Sequence, residues 1–150
     1  MEKNHFNIRQ AKKDDMITVA KMNKQLIRDE GSPNPMTIQE LERRFRQWRK
    51  EGWRCVVIEH QGTMIGYCVF KEIKGTHSYQ YNLSLKQFFI RRHLRSRGIG
   101  SSALKFMINS FFPKIPRVRV EVLESNQRGK KFWLSNGFVP VATTLDRVIG

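Results

Sequence analysis

The residues with the clearest chemical potential stand where an apolar segment turns into a helix. This turn contains four arginines and two glycines, namely Arg91, Arg92, Arg95, Arg97, Gly98 and Gly100. Glycine lets the backbone approach a ligand closely, and the first N–H groups of a helix attract negative charge. The pattern is typical of a pyrophosphate cradle. A tight turn with a solvated arginine face is the alternative explanation.

A second segment farther along the chain begins at Asn126 and ends at Gly137. Asparagine is a good N-cap residue and glycine commonly follows a helix, so this segment predicts a short helix. The helix contains the aromatic pair Phe132 and Trp133 and leads into Phe138. The two segments together are more specific than either one alone.

Both segments resemble those of the GNAT superfamily of N-acetyltransferases. The acetyl-coenzyme A loop of that superfamily has Arg or Gln, two residues, Gly, one residue, and then Gly or Ala. Arg95, Gly98 and Gly100 match this loop, and the family's second segment is matched from Asn126 to Phe138. The match covers roughly residues 85 to 140.

The resemblance implies that acetyl-CoA is the co-substrate, with its pantetheine arm between the fourth and fifth strands. The implied coenzyme-binding residues are Phe88, Phe89, Ile90, Arg95, Ser96, Arg97, Gly98, Ile99, Gly100, Ser101, Asn126, Lys130, Phe132 and Trp133. Asn126 is equally explained as an N-cap, and the aromatic pair as part of the core. A backbone N–H of the fourth strand would polarise the thioester carbonyl.

Proton transfer is the part of the implied reaction that this sequence supports least. The family often uses Glu as base and Tyr as acid, but Trp133 stands at the usual Tyr position and residues 82–90 contain no carboxylate. Glu121, on the predicted fifth strand, is the candidate general base, and an ion pair with an arginine is its alternative role. Tyr81 is the candidate acid. The thiol of coenzyme A resembles that of cysteine, whose pKa is about 8.5, so its thiolate can leave without a dedicated acid.

The composition indicates one basic domain over residues 1–150. The chain has 28 Lys and Arg against 13 Asp and Glu, which gives a formal net charge of +15. A chain of this length buries a core without metals or disulfides. Cys55 and Cys68 lie in strand-like segments typical of reduced, buried thiols, and the four histidines lack metal-ligand spacing. We expect no metal.

Periodicity, caps and turn residues predict a strand and two helices, three strands, and then helix, strand, helix and strand. The strands are predicted over 6–10, 54–60, 64–70, 79–90, 117–123 and 138–145, and helices begin at Asp14, Thr37, Ser101 and Asn126. This is the element order of the GNAT fold. We therefore expect an α/β fold with a mixed, mostly antiparallel sheet of about six strands and helices on both faces.

Other functions fit parts of the sequence. The net charge and the basic residues at 43–50 fit a nucleic-acid-binding module, and the missing base and acid fit a coenzyme-binding protein without turnover. Residues 98–103 also match the Gly-x-Gly-x-x-Ala of dinucleotide-binding folds, but the glycines follow an arginine-rich turn rather than a strand. A P-loop is excluded because Gly-Lys-Ser/Thr is absent. An acetyl-CoA-dependent N-acetyltransferase acting on a small-molecule or peptide amine explains the most residues.

The N-terminal residues 1–5 are polar, and no segment reaches the roughly 20 apolar residues of a membrane span. We therefore expect a cytoplasmic protein that does not enter a membrane. Homodimers are common in the GNAT superfamily, so the resemblance also allows a homodimer.

Overall fold

The computed structural model describes residues 5–73, 83–95, 97–112 and 116–150. The strands among these residues are β1 (Phe6–Gln10), β2 (Arg54–His60), β3 (Thr63–Glu72), β4 (Leu83–Ile90) and β5 (Val118–Val120). The α-helices are α1 (Met16–Asp29), α2 (Ile38–Lys50), α3 (Ile99–Phe106) and α4 (Gln127–Ser135). The predicted alternation of helices and strands is therefore present from β1 to α4.

The strands form one mixed sheet in the order β1-β2-β3-β4-β5. β1 to β4 are antiparallel neighbours, whereas β5 is parallel to β4. The pairing between β4 and β5 extends only from Leu83 to Leu85 on β4 and from Val118 to Val120 on β5. Residues 86–90 of β4 therefore border an opening in the sheet instead of a neighbouring strand.

Helices cover both faces of the sheet because successive strand residues point to opposite sides. The core on one face includes Val19 and Met22 of α1, Phe45 of α2, and Val57, Tyr67, Val69 and Phe89 of the sheet. The core on the other face includes Ala103 and Leu104 of α3, and Val56, Ile58, Cys68 and Phe70 of the sheet. The expected α/β architecture is confirmed.

The predicted sixth strand, over residues 138–145, is wrong. Its β-branched residues favour extended structure, but residues 138–150 contain no helix or strand. The ring of Phe138 packs 5.0 Å from that of Trp133, whereas Val139 and Val141 are 74% and 66% exposed. A strand forms only by pairing with another strand, and the described sheet ends at β5 without pairing with this segment. The described residues therefore form a sheet of five strands.

Several predicted boundaries also move. α3 begins at Ile99, two residues before the predicted start, and a π-helical turn over Met107–Phe111 follows it. β5 ends at Val120, so Glu121 lies just after this strand instead of on it. The predicted fourth strand begins at residue 79, but residues 74–82, including Tyr81, lie outside the described part of the chain.

Gly66 on β3 determines how closely this strand approaches β4. A Cβ atom added at residue 66 would lie 1.9 Å from the carbonyl oxygen of Phe89 and 3.1 Å from the side chain of Ile90. No other residue type fits there unless one of the two strands moves. The position of β4 at the edge of the opening therefore depends on a glycine in its neighbour.

Replacing Gly66 with alanine is expected to destabilise the fold by about 1–3 kcal/mol, because the added methyl group collides with backbone atoms. Urea unfolding followed by circular dichroism measures the loss. Thr63→Ala is the control, since Thr63 is an exposed residue of the same strand. A loss in Gly66→Ala no larger than that in Thr63→Ala would contradict the close approach.

Candidate active site

A cleft of about 590 Å³ occupies the opening beside β4. β4 contributes residues 85–90 to its wall, and the end of β5 contributes residues 120–122. Leu26, Asp29 and Glu30 line it from the end of α1, and the start of α3 and the helix α4 supply the rest. A cleft of this volume is in the range of small-molecule binding sites.

The start of α3 lies at one end of this cleft. Gly98 precedes the helix with a φ of 76°, and an added Cβ there would meet no atom within 4 Å. The first backbone hydrogen bond runs from Ser102 N to Gly98 O over 3.0 Å. The N–H groups of residues 99–101 precede that bond, so they have no acceptor within the helix. This end of the cleft therefore suits an anion.

Aromatic side chains connect β4 to α4 along the cleft. The ring of Phe88 stacks 5.8 Å from Phe132, and Phe132 contacts Trp133 at 5.0 Å. All three are partly buried against the core beneath α3. The side-chain amide of Asn136 donates to Ser101 Oγ over 3.1 Å, which joins the end of α4 to the start of α3. The cleft is thus bounded by elements that hold one another in place.

The sequence from residue 8 to residue 145 matches the family model of the acetyltransferase (GNAT) domain. The chain belongs to the GNAT acetyltransferase family. It is therefore an acyltransferase that transfers an acetyl group, as the sequence motifs predicted. No curated protein matches the sequence of this GNAT chain.

Solved structures resemble this GNAT chain along nearly its whole length. One is a predicted acetyltransferase with acetyl-CoA from Clostridium acetobutylicum, 17% identical over 95% of this chain and 96% of that one, with a TM-score of 0.69. An acetyltransferase from Thermus thermophilus is 18% identical over 91% and 88%, with a TM-score of 0.70. An aminoglycoside N-acetyltransferase in complex with CoA is 15% identical over 99% and 97%, with a TM-score of 0.67. At these identities the likeness shows a common fold.

Most residues that the GNAT resemblance assigned to the coenzyme line the cleft. They are Phe88, Phe89, Ile90, Arg95, Gly98, Gly100, Ser101, Asn126, Phe132 and Trp133. Arg97, Ile99 and Lys130 are not among the lining residues, and Ser96 lies outside the described residues. Asn126 also has its alternative role, since its Oδ1 accepts a hydrogen bond from Gly129 N over 2.9 Å as an N-cap.

The cations that α4 presents to the cleft are Arg128 and Lys131, which sequence reasoning missed. Lys130 instead forms an ion pair with the exposed Glu124. Residues three apart lie on the same face of a helix, so Arg128 and Lys131 both border the cleft. Lys130 lies on another face of α4. Helical periodicity was the signal that would have found this pair.

The side chain of Arg95, the first residue of the loop motif, contacts three other residues of the protein. Its Nε donates to the carbonyl of Ile90 over 2.8 Å, and its guanidinium lies 5.0 Å from the centre of the Phe89 ring. Its Nη1 is 2.6 Å from Asp29 Oδ2. Arg95 therefore connects the turn before α3 both to β4 and to the end of α1.

Asp29 receives further hydrogen bonds from neighbouring side chains. Its Oδ1 accepts from Arg92 over 2.7 Å and from Gln25 over 2.7 Å. Burial alone would raise the pKa of this carboxyl, but the hydrogen bonds from Arg92, Gln25 and Arg95 outweigh burial and lower it. The end of α1 is thus fixed to the turn before α3 by a charged cluster.

Gln87 reaches the cleft from β4 with a defined orientation. The hydroxyl of Tyr67 donates to Gln87 Oε1 over 2.8 Å. Tyr67 is fully buried, and burial holds its pKa well above its ordinary value, so the hydroxyl keeps its proton. Since the amide oxygen of Gln87 accepts this hydrogen bond from Tyr67, its NH2 group remains available to donate to a ligand.

The described residues contain no group of three His, Cys, Asp or Glu that could hold a metal ion. Within the same ranges, no helix has the length and apolar character needed to cross a membrane. Cys55 is largely buried, and burial raises its pKa to about 12, so its thiol is not a nucleophile at neutral pH.

Replacing Gly98 with valine is expected to weaken acetyl-CoA binding at least about tenfold, since a β-branched residue is strained at positive φ and its side chain would enter the cleft. Isothermal titration calorimetry measures the affinity. Gly137→Val is the matched control, because Gly137 has a φ of 89° and equally open surroundings but does not line the cleft. Equal affinities of the two variants would contradict the placement of the cradle.

Replacing Asp29 with asparagine is expected to cost about 1.5–3 kcal/mol at neutral pH, the range for hydrogen bonds to charged groups. The folded-state pKa of Asp29 lies below its unfolded value of about 3.9. Its contribution is therefore complete above the unfolded pKa and is lost as the pH falls through the folded one. Unfolding free energies between pH 7 and pH 3 measure this, with the exposed Asp14→Asn as control. A pH-independent difference would contradict the ion pairs.

Proposed function

We propose that this GNAT enzyme transfers the acetyl group of acetyl-CoA directly to a primary amine bound in the same cleft. The observation that carries the proposal is the continuity of one cleft from the start of α3, past the open side of β4, to the end of α1. One end suits phosphates and the other end contains carboxylates. Both substrates can therefore be present together.

The coenzyme would lie along residues that the cleft already brings together. The N–H groups at the start of α3 would bind its pyrophosphate, and Arg128 and Lys131 would add positive charge. The backbone of residues 86–90, which has no β5 partner, would pair with the amides of the pantetheine arm. The thioester would then lie beside β4.

In the proposed reaction a carbon–nitrogen bond forms to the acetyl carbon while the carbon–sulfur bond breaks. The acceptor gives up one proton to a base, and the departing thiolate takes one from solvent. A backbone N–H of β4 would stabilise the negative charge that develops on the acetyl oxygen, and the NH2 group of Gln87 is a second donor in reach of the cleft. Most of the rate would come from positioning the two substrates.

Glu121 is the proposed general base. Glu121 follows β5 directly and lines the cleft on the side opposite β4. It is exposed, so a water molecule can carry the proton between the amine and the carboxylate. Tyr81, the candidate acid, lies outside the described residues, and a coenzyme thiolate can leave without it.

Calorimetric titration with acetyl-CoA, together with a thiol-release assay over a panel of amines, tests the proposed function. We expect micromolar coenzyme binding and amine-dependent release of coenzyme A. NADH and duplex DNA, titrated at the same salt concentration, serve as controls for the dinucleotide and nucleic-acid alternatives. Tight binding of NADH or DNA without binding of acetyl-CoA would overturn the proposal. Binding of acetyl-CoA without release of coenzyme A in the presence of any amine would favour a protein that only binds the coenzyme.

Glu121→Gln is expected to lower kcat at least about tenfold while acetyl-CoA affinity stays nearly constant, because the variant loses the proposed base but keeps the size of the side chain. Thiol-release assays measure kcat, and calorimetric titration measures the affinity. Glu124→Gln is the control, since Glu124 is also a carboxylate near the start of α4 but is 92% exposed and does not line the cleft. An unchanged kcat in Glu121→Gln would remove this residue as the base.

A further inference from the structure

Glu30 is a carboxylate in the cleft that the proposed reaction does not use. Asp29, its neighbour, is neutralised by Arg92 and Arg95. Glu30 is half-buried, and its carboxylate makes no hydrogen bond or ion pair with the described residues. Burying a carboxylate is costly unless a cation or a donor compensates its charge.

The backbone of Glu30 is hydrogen-bonded on both sides. Its N–H donates to Leu26 O over 2.9 Å at the end of α1. Its carbonyl accepts a hydrogen bond from Ser125 Oγ over 2.8 Å, which connects it to the segment before α4. The ion pairs of the preceding residue, Asp29, hold the same turn against the turn before α3. The backbone that carries the Glu30 side chain is therefore held beside the cleft.

The charges that face Glu30 do not compensate it at contact distance. Burial raises the pKa of its carboxyl, while Arg44 on α2 lowers it and Asp29 raises it further. Arg44 is directed elsewhere, since its Nη2 donates to Asn23 over 2.9 Å and its guanidinium lies 4.4 Å from the Trp48 ring. Tyr67 on β3 stays neutral. The carboxylate of Glu30 is therefore available to a cationic group of a ligand in the cleft.

We propose that Glu30 binds a cationic group of the acceptor other than the amine that reacts, so that the enzyme selects acceptors with at least two amino groups. This rests on the proposed function. The reacting amine must be neutral when it attacks and lies beside the thioester at β4, with Glu121 as its base. A second group, still protonated, is then free to lie at the end of α1 and to pair with Glu30.

Two acceptors of the same shape separate charge recognition from all other contributions. One is 3-aminopropyl-trimethylammonium, and the other is its neutral isostere 4,4-dimethylpentylamine, in which carbon replaces the quaternary nitrogen. The ratio of their kcat/KM values is measured in the unaltered enzyme, in Glu30→Gln and in Glu124→Gln. The quaternary charge also lowers the pKa of the reacting amine, and this effect is the same in all three enzymes. The informative quantity is therefore the difference in the kcat/KM ratio between the enzymes.

We expect Glu30→Gln to reduce the preference for the cationic amine about tenfold, and Glu124→Gln, which changes the net charge equally, to leave it intact. An equal ratio in all three enzymes would overturn the inference while leaving acetyl transfer established. An equal loss in both variants would also overturn it, because the effect would come from net charge. Acetylation of neither amine overturns it as well, and the acetyl-CoA titration then decides whether the proposed function falls with it.

Discussion

The separation of β4 from β5 is the constraint on which the rest of the structure depends. The two strands pair over three residues and then part, so the backbone of residues 86–90 borders a cleft instead of completing the sheet. Unpaired strand edges are costly inside a fold, because each N–H and carbonyl lacks a partner. An extended ligand with its own amides, such as a pantetheine arm, compensates this cost by pairing as a strand would. In the proposed function, the gap between β4 and β5 is therefore the place where the coenzyme binds.

Two contacts keep the opening at a fixed width. On the side of β3, Gly66 allows the backbones of β3 and β4 to approach closely, so β4 cannot shift toward its neighbour without a clash. On the side of the loop, Arg95 joins the end of β4 to Asp29 on α1. These contacts therefore connect the end of α1, where Glu30 is the next residue, to the turn before α3. If the acceptor lies at this end of the cleft, as proposed, these ion pairs help to set its position.

The sequence alone predicted local features. Gly98 and Gly100 predicted a close backbone approach at a helix start, and Asn126 predicted an N-cap, which its hydrogen bond from Gly129 N confirms. On α4 the cations that line the cleft are Arg128 and Lys131 and not Lys130, because the motif alone does not define which face of the helix borders the cleft. The links between Asp29 and Arg95 and between Tyr67 and Gln87 join distant segments, so only the tertiary structure reveals them. The predicted sixth strand is wrong for a related reason. β-propensity is a property of single residues, whereas a strand forms only when another strand pairs with it.

Hydrogen–deuterium exchange of the backbone amides, compared with and without acetyl-CoA, tests the central claim most directly. If the coenzyme lies along the open side of β4, saturating acetyl-CoA protects the amides of residues 86–90 and of residues 98–101 together. The segment over β1 and β2, which forms the far edge of the sheet, should change little. Binding that protects the start of α3 but leaves residues 86–90 unchanged would contradict the account, because the opening between β4 and β5 would then not be the binding site.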